Sequence, residues 1–208
     1  MELSELTVRE FANLLGSDAP APGGGSAAGL AGSLGASLSA MVSALTLGRK
    51  KYAEYQELAQ NGFEQGSARK DDFLAAMEHD TAVFNEFSAA MSLPKETPEE
   101  KEVRSVAMQK ALKLCIESPL HVMELSHETI LLTNELVGKT NANALSDLGV
   151  SALMISAAVQ GAWLNVLINL GGLKDEAAAN AYRAKGEALL HDTLKLSQEI
   201  YEKIEKSL

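Results

Sequence analysis

Two stretches without charged residues limit the possible folds of this chain more than any other feature. They are residues 19–48 and 148–173 of a 208-residue sequence. Each is long enough to cross a membrane as a helix. Both, however, contain polar residues such as Ser37 and Asn165, and no aromatic belt flanks either one. Helices buried at the centre of a soluble bundle explain both stretches better, so we expect no membrane partner.

The composition favours helices over sheets. Hydrophobic residues make up 46% of the chain but aromatic residues only 5%, a mixture that suits close-packed helices rather than a β-sandwich. The length fits one large domain. We predict a single all-α domain over residues 1–208. The expected architecture is an up-and-down bundle of about six to seven helices, in which two central helices are rich in small residues.

The first charge-free stretch has the pattern of a close-packed helix. Small residues recur in it at every fourth position: Gly25, Gly29, Ser33 and Ser37. Residues with this spacing lie on one helix face, where they allow another backbone to approach closely. We expect this helix to start within residues 24–27 and to continue to about residue 61.

Two capping boxes mark further helix starts. Thr7 with Glu10 predicts a helix over 8–15, and Thr97-Pro98-Glu99-Glu100 predicts another one that continues to about residue 117. A further helix is predicted over 63–92, between the end of the first central helix and the second capping box.

The second half of the chain has three more boundary signals. Pro119 either kinks its helix or opens a new one that runs to about Val137. Ser146 or Asp147 is expected to cap the helix that contains the second charge-free stretch. Asp175 should open the last helix.

The charge of the chain argues against nucleic-acid binding, and its cysteine content excludes an internal disulfide. The net charge is −10, and the one basic run is Arg49-Lys50-Lys51. Such a chain is a poor nucleic-acid binder, because phosphate neutralisation supplies most of that affinity. A single cysteine, Cys115, cannot form an internal disulfide. The N-terminus shows no secretion signal, so we expect a cytoplasmic protein.

The sharpest local feature is a glycine-rich segment at a helix start. It consists of Pro22, Gly23, Gly24, Gly25 and Ser26. Unpaired backbone N–H groups and the helix dipole can bind a carboxylate or a polar heterocycle there. The alternative is a tight turn into a close-packed helix, and spacing alone does not decide between them. No strand precedes the segment, so it is not a nucleotide-binding loop.

Polar residues flank and interrupt the second charge-free stretch. Four of them come before it or at its start: Asn141, Asn143, Ser146 and Asp147. Capping alone can explain the last two. Asn165 and Asn169, four residues apart, share one face of an otherwise apolar helix, and buried amides need partners. These amides therefore favour a binding site.

Other candidate residues are charged. Arg49, Lys50 and Lys51 form either a solvated helix face or an anion-binding group. Asp80 either faces the core or is exposed. A metal site is not indicated, because a di-iron bundle needs two Glu-x-x-His motifs and only Glu124 to His127 fits.

Together these segments resemble the formiminotransferase-cyclodeaminase C-terminal domain family, which includes stand-alone bacterial methenyltetrahydrofolate cyclohydrolases. The match spans residues 7–173. Its segments are residues 22–26, Met41-Val42, 45–52, Asp80 with Phe84, Ser146-Asp147-Leu148-Gly149-Val150 and 165–169. Leu93-Pro94-Lys95 followed by Glu99-Glu100-Lys101 resembles the stand-alone branch in particular.

The resemblance implies an α-helical bundle, a homodimer, a tetrahydrofolate substrate, no metal and no other cofactor. It implies hydrolysis of 5,10-methenyltetrahydrofolate. The alternatives are formimidoyltetrahydrofolate cyclodeamination with release of ammonia, and a non-catalytic folate-binding or interaction module. Asp147, at the start of a charge-free helix, is our candidate for the carboxylate nearest the reacting carbon, with Asp80 as the competitor. Lys51 is a further candidate for chemistry, because a desolvated lysine can titrate near neutrality.

Overall fold

The computed structural model describes residues 2–208, and its regular structure there is helical throughout. Six α-helices lie within these residues: α1 Val8–Leu15, α2 Gly24–Ala44, α3 Gln56–Met91, α4 Pro98–Leu136, α5 Leu145–Leu170 and α6 Glu176–Glu205. Short 3-10 turns cover Leu3–Glu5, Lys50–Tyr55 and Ala142–Ala144. The predicted all-α bundle is confirmed.

Three predicted helix starts are confirmed by their capping bonds. The hydroxyl oxygens of Thr7 and Thr97 each accept the backbone N–H three residues on, and both capping boxes are complete. The carboxylate of Asp175 accepts the N–H of Ala178 at 3.0 Å. Local sequence therefore determines where α1, α4 and α6 begin.

The predicted end of the first central helix is wrong. α2 ends at Ala44, because the chain turns at Gly48, whose φ of 72° is left-handed. The Gln56 side chain holds this turn: it accepts the Gly48 N–H at 2.8 Å and donates to the Tyr52 carbonyl at 2.8 Å. Residues 56–61 therefore belong to α3.

The predicted cap of α5 is also wrong. A 3-10 turn, Ala142–Ala144, precedes the helix, and the cap position is Ala144 without a side-chain bond. The Asn141 side chain accepts the N–H of Asn143 instead, at 3.2 Å. Ser146 and Asp147 consequently lie inside the first turn of α5.

Pro119 does not open a new helix, because α4 continues through it from Pro98 to Leu136. Proline has no N–H, so the carbonyl of Cys115, four residues earlier, loses its helical partner. The side-chain amide of Asn169 on α5 donates to that carbonyl at 3.1 Å. Pro119 is thus accommodated inside α4 by an amide from a neighbouring helix.

Helices α2, α3, α4 and α5 form a four-helix bundle, and α6 packs on α4 and α5. The small residues of α2 serve this packing. A Cβ added to Gly32 would lie 2.3 Å from the buried ring of Phe73, and one added to Gly35 would lie 2.8 Å from Ile155. The small-residue rows thus let α3 and α5 approach α2 within the protomer.

The outer side of α2 and α5 is exposed and apolar. Seven large side chains lie on it, between 39% and 78% exposed: Leu34, Met41 and Leu45 at α2, and Val150, Leu153, Leu164 and Ile168 on α5. We call this surface the apolar face. Both helices are long and apolar enough to span a membrane. Their opposite sides, however, pack in the bundle core around buried hydroxyls such as Ser39 and Ser151.

Candidate functional site

A cavity of about 220 Å³ opens at the N-terminal end of α2. We call it the glycine-loop cavity. Its lining residues are Pro20, Ala21, Gly23, Gly24, Gly25, Asp80, Thr81, Val83, Phe84, Phe87, Cys115, Ser118, Asn165 and Asn169. The structure therefore brings three separately predicted features together: the glycine segment, the α3 carboxylate and the two α5 amides.

The glycine segment exposes backbone donors to this cavity. Gly23 caps α2 without a side-chain bond, so the N–H groups of the first turn have no helical partner. A Cβ on Gly25 would lie 2.3 Å from a carboxylate oxygen of Asp80. A side chain at this position would displace the carboxylate, so the glycine leaves the space that Asp80 occupies.

Asp80 is half-buried beside the start of α2. Its carboxylate accepts a hydrogen bond from the Ser26 hydroxyl at 3.0 Å. Burial raises the pKa of Asp80 above its ordinary value, and the bonds from Ser26 act in the opposite direction by stabilising the anion. A carboxyl group with a raised pKa can exchange protons with a bound substrate closer to neutral pH.

The two amides of α5 are held in fixed orientations. Asn165 donates its NH₂ group to the Gly161 carbonyl at 2.9 Å. Asn169 donates to the carbonyls of Cys115 and Asn165 at 3.1 and 2.8 Å. Within residues 2–208 no donor pairs with either amide oxygen, so both can accept hydrogen bonds from a heterocycle.

Eight cavity residues were not among the predicted site residues: Pro20, Ala21, Thr81, Val83, Phe84, Phe87, Cys115 and Ser118. Phe84, which accompanies Asp80 in the family pattern, is 39% exposed at the cavity rim, and Phe87 and Ser118 also line the cavity. Cys115, the single cysteine, is half-buried against the cavity. Burial raises the pKa of its thiol to about 11, so the thiol stays protonated and is a poor nucleophile at neutral pH.

A second cavity, of about 380 Å³, lies beyond the C-terminal end of α2. We call it the basic cavity. Its lining residues are Arg49, Lys50, Lys51, Tyr52, Asn141 and Asn143. The Tyr52 hydroxyl accepts the Ala142 N–H at 2.9 Å, which joins the basic run to the asparagine loop. This bond lowers the pKa of Tyr52 below its ordinary value.

The remaining predicted residues line neither cavity. Pro22 is buried in the loop before α2, and Ser26 acts through its bond to Asp80. Ser146 is exposed and Asp147 half-buried in the first turn of α5, at the same end of the bundle as the basic cavity. The candidate residues therefore form two groups at opposite ends of α2.

Within residues 2–208, no cluster of three or more His, Cys, Asp or Glu side chains could hold a metal ion. The cavities offer a carboxylate, amides, backbone donors and cations. This set suits an organic ligand that carries both polar ring atoms and an anionic group.

The family model and the similar proteins of known name point to the same family. A model of the formiminotransferase-cyclodeaminase family matches residues 7–188. The methenyltetrahydrofolate cyclohydrolase of Methylorubrum extorquens is 36% identical over 202 residues, which covers 97% of each chain. The formimidoyltransferase-cyclodeaminase of Gallus gallus is 34% identical over 166 residues, and these span 80% of this chain but only 31% of that longer protein.

The fold also occurs in a solved structure. The formiminotetrahydrofolate cyclodeaminase of Thermotoga maritima superposes with a TM-score of 0.81, over 99% of this chain and 96% of that one. The sequences are 23% identical. This likeness establishes a shared helical architecture over the whole chain.

Proposed function

This chain belongs to the formiminotransferase-cyclodeaminase family, and from that premise we propose that it is a methenyltetrahydrofolate cyclohydrolase. It hydrolyses 5,10-methenyltetrahydrofolate to 10-formyltetrahydrofolate in one-carbon metabolism. The observation that carries this assignment is the end-to-end match to a stand-alone cyclohydrolase, at 36% identity over 97% of both chains.

The chemistry fits the groups in the glycine-loop cavity. The methenyl carbon lies between N5 and N10 as part of a cationic amidinium. Water adds to this carbon, the C–N5 bond then breaks, N5 takes up a proton, and the formyl group stays on N10. One proton is released overall. The substrate carbon is already activated, so the reaction needs a base and a proton path rather than a redox or metal cofactor.

Asp80 is the best-placed group for that proton path. Its carboxylate stabilises the cation electrostatically, accepts a proton from the attacking water and returns it to N5. The α2 N–H groups and the amide oxygens of Asn165 and Asn169 bind the polar edge of the pterin. The role of Asp147 as the carboxylate nearest the reacting carbon stays a prediction. In the structure Asp147 lies at the other end of α2, away from the glycine-loop cavity.

The basic cavity suits the anionic end of the substrate. Arg49, Lys50 and Lys51 can pair with the carboxylates of the glutamate tail, and Asn141 and Asn143 add hydrogen-bonding groups. Lys51 lies 5.4 Å from the centre of the Tyr52 ring, a contact that holds its ammonium at the cavity.

We further propose a cytoplasmic homodimer without nucleic-acid or membrane partners. A net charge of −10 opposes binding to phosphate backbones and to anionic lipid surfaces. The apolar face of α2 and α5 provides a surface for a second protein copy.

Two assays on the purified protein separate this activity from its alternatives. The methenyl compound absorbs near-ultraviolet light through its conjugated amidinium, and the formyl product does not. We expect loss of this absorbance from the methenyl substrate and no ammonia from formimidoyltetrahydrofolate. Ammonia release together with a gain in absorbance would identify a cyclodeaminase, and folate binding without change in either assay would identify a non-catalytic module.

A further inference from the structure

A proline interrupts the hydrogen bonding of α4 where this helix forms a wall of the glycine-loop cavity. Pro119 is buried in the interior of α4. A proline is unfavourable there, because it lacks an N–H group and its ring crowds the carbonyl four residues earlier. That carbonyl belongs to Cys115, and both Cys115 and Ser118 line the cavity. The break in the helical hydrogen bonding therefore lies at the cavity itself.

The carbonyl that Pro119 leaves free is used by a side chain of the same cavity. The amide of Asn169 donates to the Cys115 carbonyl at 3.1 Å, across the contact between α5 and α4. The same NH₂ group donates to the Asn165 carbonyl at 2.8 Å. Asn169 lines the glycine-loop cavity, so the proline provides a backbone acceptor to a residue of the proposed substrate site.

These two carbonyls determine which way the Asn169 amide faces. A carbonyl accepts hydrogen bonds and cannot donate them, so the NH₂ group must point toward both. An amide turned by 180° would place its oxygen against two carbonyl oxygens. The amide oxygen therefore faces away from them, and within residues 2–208 it accepts no hydrogen bond. It stays available to a donor on a ligand in the cavity.

The neighbouring amide of Asn165 lacks such a contact with α4. Among the described residues its NH₂ group donates only to the Gly161 carbonyl, at 2.9 Å and four residues earlier on the same helix. Asn169 makes the equivalent bond within α5 and adds the bond to Cys115. The carbonyl released by Pro119 is thus what ties Asn169 to the other helix that lines the cavity.

We propose that Pro119 is a positioning residue for substrate binding: by withholding an N–H from the Cys115 carbonyl, it reserves that carbonyl for Asn169 and keeps the Asn169 amide oxygen facing the pterin ring. In Pro119→Ala, residue 119 regains its N–H, and the carbonyl turns back along the axis of α4 to accept it. The bond to Asn169 then weakens and the amide is free to turn. That the ligand is a pterin rests on the proposed function.

Steady-state kinetics of Pro119→Ala test the role in binding. Asn169 is assigned to the polar edge of the pterin rather than to the reacting carbon. We therefore expect KM to rise roughly 2–10-fold, the usual contribution of one hydrogen bond, with kcat near the wild-type value. In an Asn169→Leu background the same change should have no further effect on KM.

Pro98→Ala is the matched control for these kinetics. Pro98 is an exposed proline at the first turn of the same helix. An N–H at that position has no helical acceptor, so removing this proline frees no carbonyl and occupies none. We expect the KM of Pro98→Ala to equal that of the wild type.

Urea unfolding tests the hydrogen bond itself, independently of turnover. In Asn169→Leu the Cys115 carbonyl has neither a helical nor a side-chain donor, so we expect the equilibrium constant for unfolding to rise by roughly 5–100-fold. When Asn169→Leu is combined with Pro119→Ala, the restored N–H satisfies this carbonyl, and the leucine should cost much less stability. An equal loss of stability in both backgrounds would overturn the proposal.

The kinetic outcomes distinguish failure of this proposal from failure of the proposed function. If the wild-type enzyme does not turn over the methenyl substrate, the function fails and the binding role fails with it. With an active wild-type enzyme, an unchanged KM in Pro119→Ala contradicts only the positioning role. So does a rise in KM that is equally large in the Asn169→Leu background, because the effect would then not pass through Asn169.

Discussion

At the scale of single residues, the candidate site depends on how Gly25, Ser26 and Asp80 fit together. The absent side chain of Gly25 makes room for the carboxylate, and Ser26 donates to it at 3.0 Å. Sequence spacing identified each residue as a candidate but could not show that they meet, because Asp80 comes 54 residues after Ser26. Asp147 was favoured for its place at a helix start, a local signal that carries no information about distant partners.

Substituting the two aspartates separates their roles. We expect Asp80→Asn to lower the turnover rate by roughly 10²–10⁴-fold, the usual contribution of a general base, with the fold intact by circular dichroism. Asp147→Asn should have a smaller effect, since Asp147 does not line the glycine-loop cavity. A larger loss in Asp147→Asn than in Asp80→Asn would transfer the role of base to Asp147.

The pH dependence tests the bond between Ser26 and Asp80. The Ser26 hydroxyl stabilises the carboxylate and so lowers its pKa. Removing it in Ser26→Ala raises that pKa, so the rise of the rate with pH should move to higher pH. Ser37→Ala is the control, because that hydroxyl bonds to the Ser33 carbonyl within α2. An unchanged profile in Ser26→Ala would mean that Asp80 does not control the rate.

The reactivity of Cys115 is a further test at this scale. Burial raises the pKa of its thiol to about 11, so little thiolate exists at neutral pH. We expect alkylation by iodoacetamide at pH 8 to be much slower than that of free cysteine, and to accelerate as the pH rises toward 11. Mass spectrometry measures the extent of alkylation over time. Rapid alkylation at pH 8 would show that the cavity wall opens in solution and exposes the thiol.

At the scale of helices, the sequence was informative where a local motif decides a boundary and uninformative where a distant side chain does. The capping residues Thr7, Thr97 and Asp175 act on their own turns, and their helices begin as predicted. The end of α2 depends on the Gln56 side chain, which folds back onto Gly48. The continuity of α4 through Pro119 depends on Asn169, a residue of another helix.

The close approach of α2 and α3 gives a stability prediction. A Cβ on Gly66 would lie 2.9 Å from the backbone nitrogen of Ala40, so Gly66→Ala forces the two helices apart. We expect it to lower the free energy of unfolding by roughly 1–3 kcal/mol. Gly149→Ala is the matched control, since its Cβ meets Ile204 at an ordinary 3.5 Å. Equal urea midpoints for both variants would contradict this packing.

At the scale of the whole molecule, the sequence predicted the all-α bundle but not the separation of its functional residues. Charge-free stretches and small-residue spacing indicate which helices are buried, and several buried helices predict a helical bundle. They do not report which end of α2 a residue occupies after folding, so they could not divide the candidate residues into two groups. In the structure Asp80 and Lys51 lie at opposite ends of the bundle, and the apolar face runs between them.

A charge on the apolar face tests whether it is an interface. Leu153 and Leu131 are equally exposed, at 47% and 46%, but Leu153 lies on the apolar face and Leu131 on the outer side of α4. We expect Leu153→Asp to give a folded monomer, because a buried unpaired charge disrupts an apolar interface. Leu131→Asp should remain dimeric. Sedimentation velocity measures the oligomeric state of both variants. A dimeric Leu153→Asp variant would exclude the apolar face as the dimer interface.

The most direct test of the central claim is the rate at which methenyltetrahydrofolate absorbance disappears as a function of enzyme concentration. Spontaneous hydrolysis sets the background. We predict that the rate above it rises in proportion to the wild-type enzyme, that 10-formyltetrahydrofolate is the product, and that Asp80→Asn lies close to the background. A wild-type rate equal to the background would contradict the assigned activity, and an Asp80→Asn rate equal to wild type would contradict the assigned site.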